Sequence, residues 1–323
     1  MNRPRVFVTR QILACGLEQL REHCEVEVWD GRLPPGREVL LEKVVGCQAL
    51  LTLLSDRIDG ELLDAAGPEL RVISNFAVGY NNIDVQLAAS RGIRVGNTPD
   101  VLTDATADMA MCLLLAAARH LKPAIDAVRS GAWKTWEPLG LLGTELAGKT
   151  VGVIGLGRIG AAFARRCHGG WGTPIVYHSR RAKPILETAL AARLLSLEEL
   201  LATSDIVSLH CPLNEDTRHL LNRDRLGMMK PGAILINTAR GEIIDQEALH
   251  WALTAGPLAA AGLDVTDPEP LDPACPLVAL DNCVIAPHIG SSTRSARDAM
   301  SRIAAENILA ALSGAPMPAE VTG

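Results

Sequence analysis

The chain has 323 residues, of which 48% are hydrophobic and 21% charged, and a formal net charge of −6. At this length two cores are expected rather than one, the apolar content excludes wholesale disorder, and the mild acidity argues against nucleic acid or an anionic membrane as the main partner. Aromatics make up only 3%, so the interior must be built from Ala, Val, Leu and Ile.

The N-terminus runs straight into a strand pattern and has no signal-peptide core. The longest apolar stretch, residues 109–118, is too short to span a bilayer. The 8 cysteines sit mostly in apolar runs and form no C-x-x-C pair, which reads as buried thiols in a reducing cytoplasm and gives no support to a metal site. Strand patterns at 5–9, 25–29, 49–53, 71–74 and 94–96 alternate with helical patterns at 16–22, 37–45, 59–66 and 85–90. This βαβ rhythm predicts a mainly parallel sheet covered by helices.

The rhythm breaks at residue 101. An Ala- and Leu-rich helix is expected over 101–119, capped by Asp100 or Thr103, then a second helix over 123–130 and an extended arm over 131–148 that holds Trp133 and Trp136. A second βαβ series begins at 150–154, with strands at 174–178, 206–209, 233–237, 259–264 and 283–285. A last helix follows at 293–312, and Gly314, Pro316 and Pro318 end the pattern.

The strand at 150–154 leads into Gly155-x-Gly157-x-x-Gly160 and then a helix. Gly155 allows the tight turn, Gly157 lets backbone approach a pyrophosphate, and Gly160 permits close helix–strand packing. The helix N-terminus offers N–H groups and partial positive charge to phosphates. A dinucleotide site is therefore expected here. An NAD-specific site usually places Asp or Glu at the end of the next strand. This chain has Ser179-Arg180-Arg181 there, then Lys183, and no carboxylate before Glu187. Two arginines suit a 2′-phosphate, so NADPH is expected over NADH, with NADH possible.

Three further segments follow strands, where ligands bind in open α/β sheets. Arg240, after the strand at 233–237, suits a planar carboxylate and an adjacent carbonyl, although alone it reads as a surface arginine. Glu269 stands in a loop fixed by Pro268 and Pro270, and His288 follows the strand at 283–285. A carboxylate beside a histidine favours the imidazolium, which can donate a proton to a carbonyl oxygen. Leu54 and Ser55, after the strand at 49–53, are candidate substrate-lining residues.

The order Arg240, Glu269, His288 after the glycine loop resembles the D-2-hydroxyacid dehydrogenase family. So do Ala77-Val-Gly-Tyr-Asn-Asn-Ile-Asp84, Gly92-Ile-x-Val-x-Asn-Thr-Pro99 and the closing helix. The resemblance runs the length of the chain. Within the family, Trp133-Lys-Thr-Trp136-Glu-Pro-Leu and Gly314-Ala-Pro-Met-Pro are similar to the glyoxylate/hydroxypyruvate reductase branch, which prefers NADPH. One departure is Gly169-Gly-Trp-Gly172, where relatives more often show a Phe-Gly turn.

The resemblance implies the following roles. Val78 and Gly79 offer backbone N–H groups to a substrate carboxylate. Arg240 binds carboxylate and carbonyl, and His288 is the general acid tuned by Glu269. Gly157, Arg158, Ile159, Pro212, Thr238, Asp264 and Gly290 line the cofactor. It also implies a homodimer made through the helix at 101–119 and the arm at 133–148.

The fold class expected is α/β, with two doubly wound parallel-sheet domains and a cleft between them. A flavodoxin-like substrate domain spans 1–100 and 290–323, and a Rossmann cofactor domain spans 101–289. The activity expected is reduction of glyoxylate or hydroxypyruvate. The alternatives are a related D-2-hydroxyacid or phosphoglycerate dehydrogenase, or a dinucleotide-sensing, corepressor-like binding protein that keeps the same residues.

Overall fold

Short aliphatic runs bounded by turn residues become the strands, and the helices between them start at side-chain caps. The computed structural model describes residues 3–322. The chain divides into two compact units, Met1–Leu102 with Ser292–Gly323, and Thr103–Ser291.

The first unit holds β1 (Arg5–Val8), β2 (Glu25–Val28), β3 (Ala49–Thr52), β4 (Val72–Asn75) and β5 (Arg94–Gly96), in the order β2-β1-β3-β4-β5. Every pairing is parallel. This is the flavodoxin-like order, with its reversal between β1 and β3. The central strands β3 and β4 are buried along their whole length, as a sheet covered on both faces requires. Asp59 and Asp84 cap the helices Gly60–Ala66 and Val85–Ser90 by accepting from the N–H groups of Leu62 and Leu87. The last helix, Arg294–Ser313, is capped by Thr293 and stopped by Gly314 at φ 77°. It crosses the helix Ala14–His23 at Gly16, where a Cβ would lie 2.3 Å from the carbonyl oxygen of Ser301.

The second unit holds β6 (Val151–Ile154), β7 (Ile175–His178), β8 (Arg193–Leu194), β9 (Ile206–Leu209), β10 (Ala233–Asn237), β11 (Leu258–Leu263) and β12 (Cys283–Ile285). The order is β12-β11-β10-β9-β6-β7-β8, again all parallel. From β6 the chain winds one way through β7 and β8, then returns to β9 and winds the other way. This is Rossmann winding, with its switch point between β6 and β9. With few aromatics to fill space, the core closes by near approach of small residues. Ala107, Ala110, Leu113, Leu114 and Ala117 of the helix Thr103–Ala118 are buried. At Gly262 in β11 a Cβ would sit 2.8 Å from Leu113 Cβ.

Several boundaries differ from expectation. The long helix starts at Thr103 rather than 101, with residues 101–102 in a turn that follows Asp100 at a left-handed φ of 70°. The next helix is Leu121–Arg129, earlier than 123–130. Pro123 lies in its first turn, where a missing N–H costs nothing. The short strand β8 was not expected. Among the described residues no helix is long and apolar enough to cross a membrane. The 8 cysteines are free, and Cys24, Cys47, Cys167 and Cys283 are buried.

Candidate active site

Because the strands of the second unit are all parallel, their C-terminal ends share one edge of the sheet. The glycine loop follows β6 there, Ser179-Arg180-Arg181 follows β7, and Pro212 follows β9. Thr238 and Arg240 follow β10, Asp264 follows β11, and His288 and Gly290 follow β12.

The glycine loop has the shape that its spacing requires. Gly155 takes φ 93°, and a Cβ on it would lie 2.6 Å from the Cys211 nitrogen. A Cβ on Gly160 would meet the Gly155 carbonyl oxygen at 2.4 Å, whereas the position over Gly157 is open. The helix Arg158–Trp171 starts on Gly157 with no side-chain cap, so its first turn, with Arg158, Ile159 and Gly160, presents N–H groups to whatever lies over Gly157. The Thr238 hydroxyl is buried and has no hydrogen-bond partner among the described residues. The open backbone, the uncapped helix start and this unpaired hydroxyl fit a dinucleotide. Arg180 and Arg181 are exposed, and the Ser179 hydroxyl donates to the Arg181 carbonyl at 2.6 Å, which shapes the turn.

The three chemical side chains are held by separate devices. Asn237, fully buried at the end of β10, donates to the Arg240 carbonyl at 2.8 Å and accepts from the Ala239 N–H at 2.9 Å. This folds residues 238–240 into a tight turn. The Arg240 guanidinium donates to the Ala239 carbonyl at 2.6 Å. Burial lowers its pKa, against the nearby charges of Glu269 and Glu242. Gly241 lets this turn press on the next loop: a Cβ there would lie 2.0 Å from the Thr266 carbonyl carbon and oxygen.

Glu269 is fixed by the Thr266 N–H, which donates to Oε1 at 3.1 Å. Its Oε2 is 2.7 Å from Nδ1 of His288. Burial pushes the Glu269 carboxyl upward, but the hydrogen bond and charge of His288, the Thr266 N–H and the charge of Arg240 outweigh it and hold the group below its ordinary range. Glu269 is therefore a carboxylate at neutral pH. His288 sits at φ 54°, pinned through its backbone. Its N–H donates to the Asp264 carbonyl at 2.8 Å, and the buried Asp264 carboxylate accepts from Ile289 and Gly290 at 2.8 and 2.6 Å. Nδ1 is turned to Glu269, and Nε2 has no hydrogen-bond partner among the described residues. Asp264 is thus an anchor for the histidine loop. Burial raises its pKa in spite of those two N–H groups and the charge of His288.

In the first unit, Leu54 and Ser55 follow β3, and Val78 and Gly79 follow the neighbouring β4. Asn82 ties the two loops together by donating to the carbonyls of Leu53 and Asp56 at 3.0 and 2.9 Å. Asn237, Thr266 and Asn82 were not singled out from the sequence. The available signal was a polar residue at the last position of a wholly buried strand, which describes Asn237 and also Asn75.

Residues 111–290 match the model of the D-isomer specific 2-hydroxyacid dehydrogenase NAD binding domain. The chain is 51% identical over 320 residues to a glyoxylate reductase of Thermococcus onnurineus, covering 98% of this chain and 95% of that protein. Among solved structures, a protein from Thermus thermophilus superposes with a TM-score of 0.92 at 50% identity, over 98% of this chain and 100% of that one. The NADPH-dependent glyoxylate/hydroxypyruvate reductase of Sinorhizobium meliloti, in complex with NADP and malonate, gives 0.86 at 34% identity, over 99% and 97%. The chain belongs to the D-isomer specific 2-hydroxyacid dehydrogenase family, in the branch of its glyoxylate reductases, and is an NAD(P)-dependent oxidoreductase.

Proposed function

We propose that this protein reduces the small 2-oxo acids glyoxylate and hydroxypyruvate to glycolate and D-glycerate, with NADPH preferred over NADH. The observation that carries the reading is the 2.7 Å pair of Glu269 and His288, on the strand edge that also carries the glycine loop and Arg240. Relatives at half identity bear the name glyoxylate reductase.

In this reading Gly155, Gly157, Arg158, Ile159, Gly160, Pro212, Thr238, Asp264 and Gly290 would hold the dinucleotide. Ser179, Arg180 and Arg181 would hold its 2′-phosphate. When bound, the dinucleotide supplies the hydride. Arg240 holds the substrate carboxylate and polarises the keto oxygen, with Val78 and Gly79 offering N–H groups to the carboxylate and Leu54 and Ser55 lining the substrate. His288, oriented by Glu269, gives its Nε2 proton to that oxygen as the carbon is reduced. The fixed charges of Arg240 and His288 stabilise the negative charge that develops there. Substitution His288→Ala lowers kcat by roughly 10²–10⁴ and leaves NADPH binding intact. Wild-type turnover in that variant refutes the role.

We also infer a homodimer. The helix Leu121–Arg129 has no buried residue, and Leu121, Ile125 and Val128 on it are exposed along with Trp133, Trp136, Leu139 and Leu142 beyond it. Such an apolar surface is more than a free monomer usually shows. Sedimentation at micromolar concentration tests it, and a monomer mass refutes it.

A further inference from the structure

The loop after β4 is gripped from behind by asparagines. Asn97 Nδ2 donates to the Val78 carbonyl at 2.8 Å, and Asn75 Nδ2 donates to the Gly79 carbonyl at 2.9 Å. Asn75 is itself fully buried. It accepts from Thr52 Oγ1 at 3.1 Å and donates to Asn82 Oδ1 at 3.1 Å. The N–H groups of Val78, Gly79 and Tyr80 have no hydrogen-bond partner among the described residues. Val78 and Gly79 are partly exposed, so their N–H groups can be met by an acceptor that arrives from solvent.

The carbonyl and N–H of one trans peptide point in opposite directions. The Val78 carbonyl shares its peptide plane with the Gly79 N–H, and the Gly79 carbonyl shares its plane with the Tyr80 N–H. A donor clamped on each carbonyl therefore fixes where the paired N–H points. It also polarises the amide, which strengthens the N–H as a donor. Neighbouring N–H groups without an internal acceptor suit an anion.

We propose that Asn97 and Asn75 are positioning residues that aim and strengthen the Gly79 and Tyr80 N–H groups toward the carboxylate of the 2-oxo acid. This rests on the functional reading above and adds Tyr80 N–H to the donors. Asn97 suits the test because its own backbone is held independently. Its N–H donates to the Ala319 carbonyl at 3.1 Å, and its carbonyl accepts from Asn307 Nδ2 at 2.9 Å.

The experiment compares wild type, Asn97→Ala and Asn97→Asp in steady-state reduction of glyoxylate with NADPH. Inhibition by oxamate, a non-reducible carboxylate isostere, and the Gly79 amide resonance of the dinucleotide-bound protein are followed in parallel. Loss of one net hydrogen bond corresponds to about three- to tenfold. The glyoxylate KM and oxamate Ki rise by that factor in Asn97→Ala while the KM for NADPH stays unchanged. Asn97→Asp, with an acceptor where the donor stood, is worse. The Gly79 amide resonance moves in both variants. A glyoxylate KM within twofold of wild type in Asn97→Ala, beside normal wild-type turnover, overturns this inference and leaves the functional reading standing. A wild-type protein that neither reduces glyoxylate nor binds oxamate overturns both.

Discussion

Glu269→Gln isolates the electrostatic part of the Glu269–His288 pair, because the amide keeps the shape of the carboxylate and removes its charge. The Nδ1–Oε2 distance is 2.7 Å, with 28% of the His288 side chain and 38% of the Glu269 side chain exposed. A hydrogen bond to a charged group is worth about 1.5–3 kcal/mol. Exposure of more than a third of the carboxylate brings solvent screening, which argues for the lower end, about 1.5 kcal/mol. At about 1.4 kcal/mol per factor of ten, that is a loss of about tenfold in kcat/KM. The sign follows from the reaction. As the Nε2 proton is delivered, the carboxylate on Nδ1 holds the ring in place, and a neutral amide holds it less firmly. In Glu269→Gln the kcat/KM for glyoxylate falls about tenfold. The assay is NADPH oxidation at pH 7 and saturating cofactor. A value within twofold of wild type refutes the assigned coupling.

Alanine at both Arg180 and Arg181 raises the KM for NADPH about tenfold and leaves the KM for NADH within twofold, since each exposed charge-assisted contact to the 2′-phosphate is worth about 1 kcal/mol or less; equal changes for the two cofactors refute the preference. Gly241→Ala puts a Cβ 2.0 Å from the Thr266 carbonyl. It destabilises the protein by about 1–3 kcal/mol and separates the Arg240 turn from the Glu269 loop, so the urea midpoint and kcat fall together. In Asp205, burial pushes the pKa up, but the Lys230 ammonium and the Thr150 N–H outweigh it and hold the group low. Its contribution is therefore full above the ordinary Asp range, near 3.9, and is lost as pH falls through the folded value. Asp205→Asn lowers the urea midpoint at pH 7 and has little effect at pH 2; an equal loss at both refutes the linkage.

The strands were legible because aliphatic runs such as Ala49–Thr52 and Ala233–Asn237 are wholly buried, and two-sided burial leaves an unbroken apolar signal. β8 escaped because its two residues are both exposed, leaving no pattern to detect. The helix Leu197–Thr203 carried a readable start, the capping box of Ser196 and Glu199, yet its strongest cue is only four residues long. In the candidate site, the glycine loop stood out by its spacing, and Arg240, Glu269 and His288 stood out as polar side chains placed after strands. Residues that act by holding backbone were not. Asn237 grips its turn, Asn97 grips Val78, and Gly241 admits Thr266. Each does so through a partner distant in the chain or a local fold that composition does not encode. The left-handed φ of His288 belongs to the same class, because Asp264 imposes it from another strand.

The central claim, that this site transfers a hydride to a small 2-oxo acid with His288 supplying the proton, is tested most directly by initial rates. Glyoxylate, hydroxypyruvate and pyruvate are each offered with NADPH and with NADH, to wild type and to His288→Ala. The expected result is turnover of glyoxylate and hydroxypyruvate, faster with NADPH, that falls roughly 10²–10⁴-fold in His288→Ala. Tight NADPH binding with no turnover of any of the three acids by the wild-type protein would contradict it.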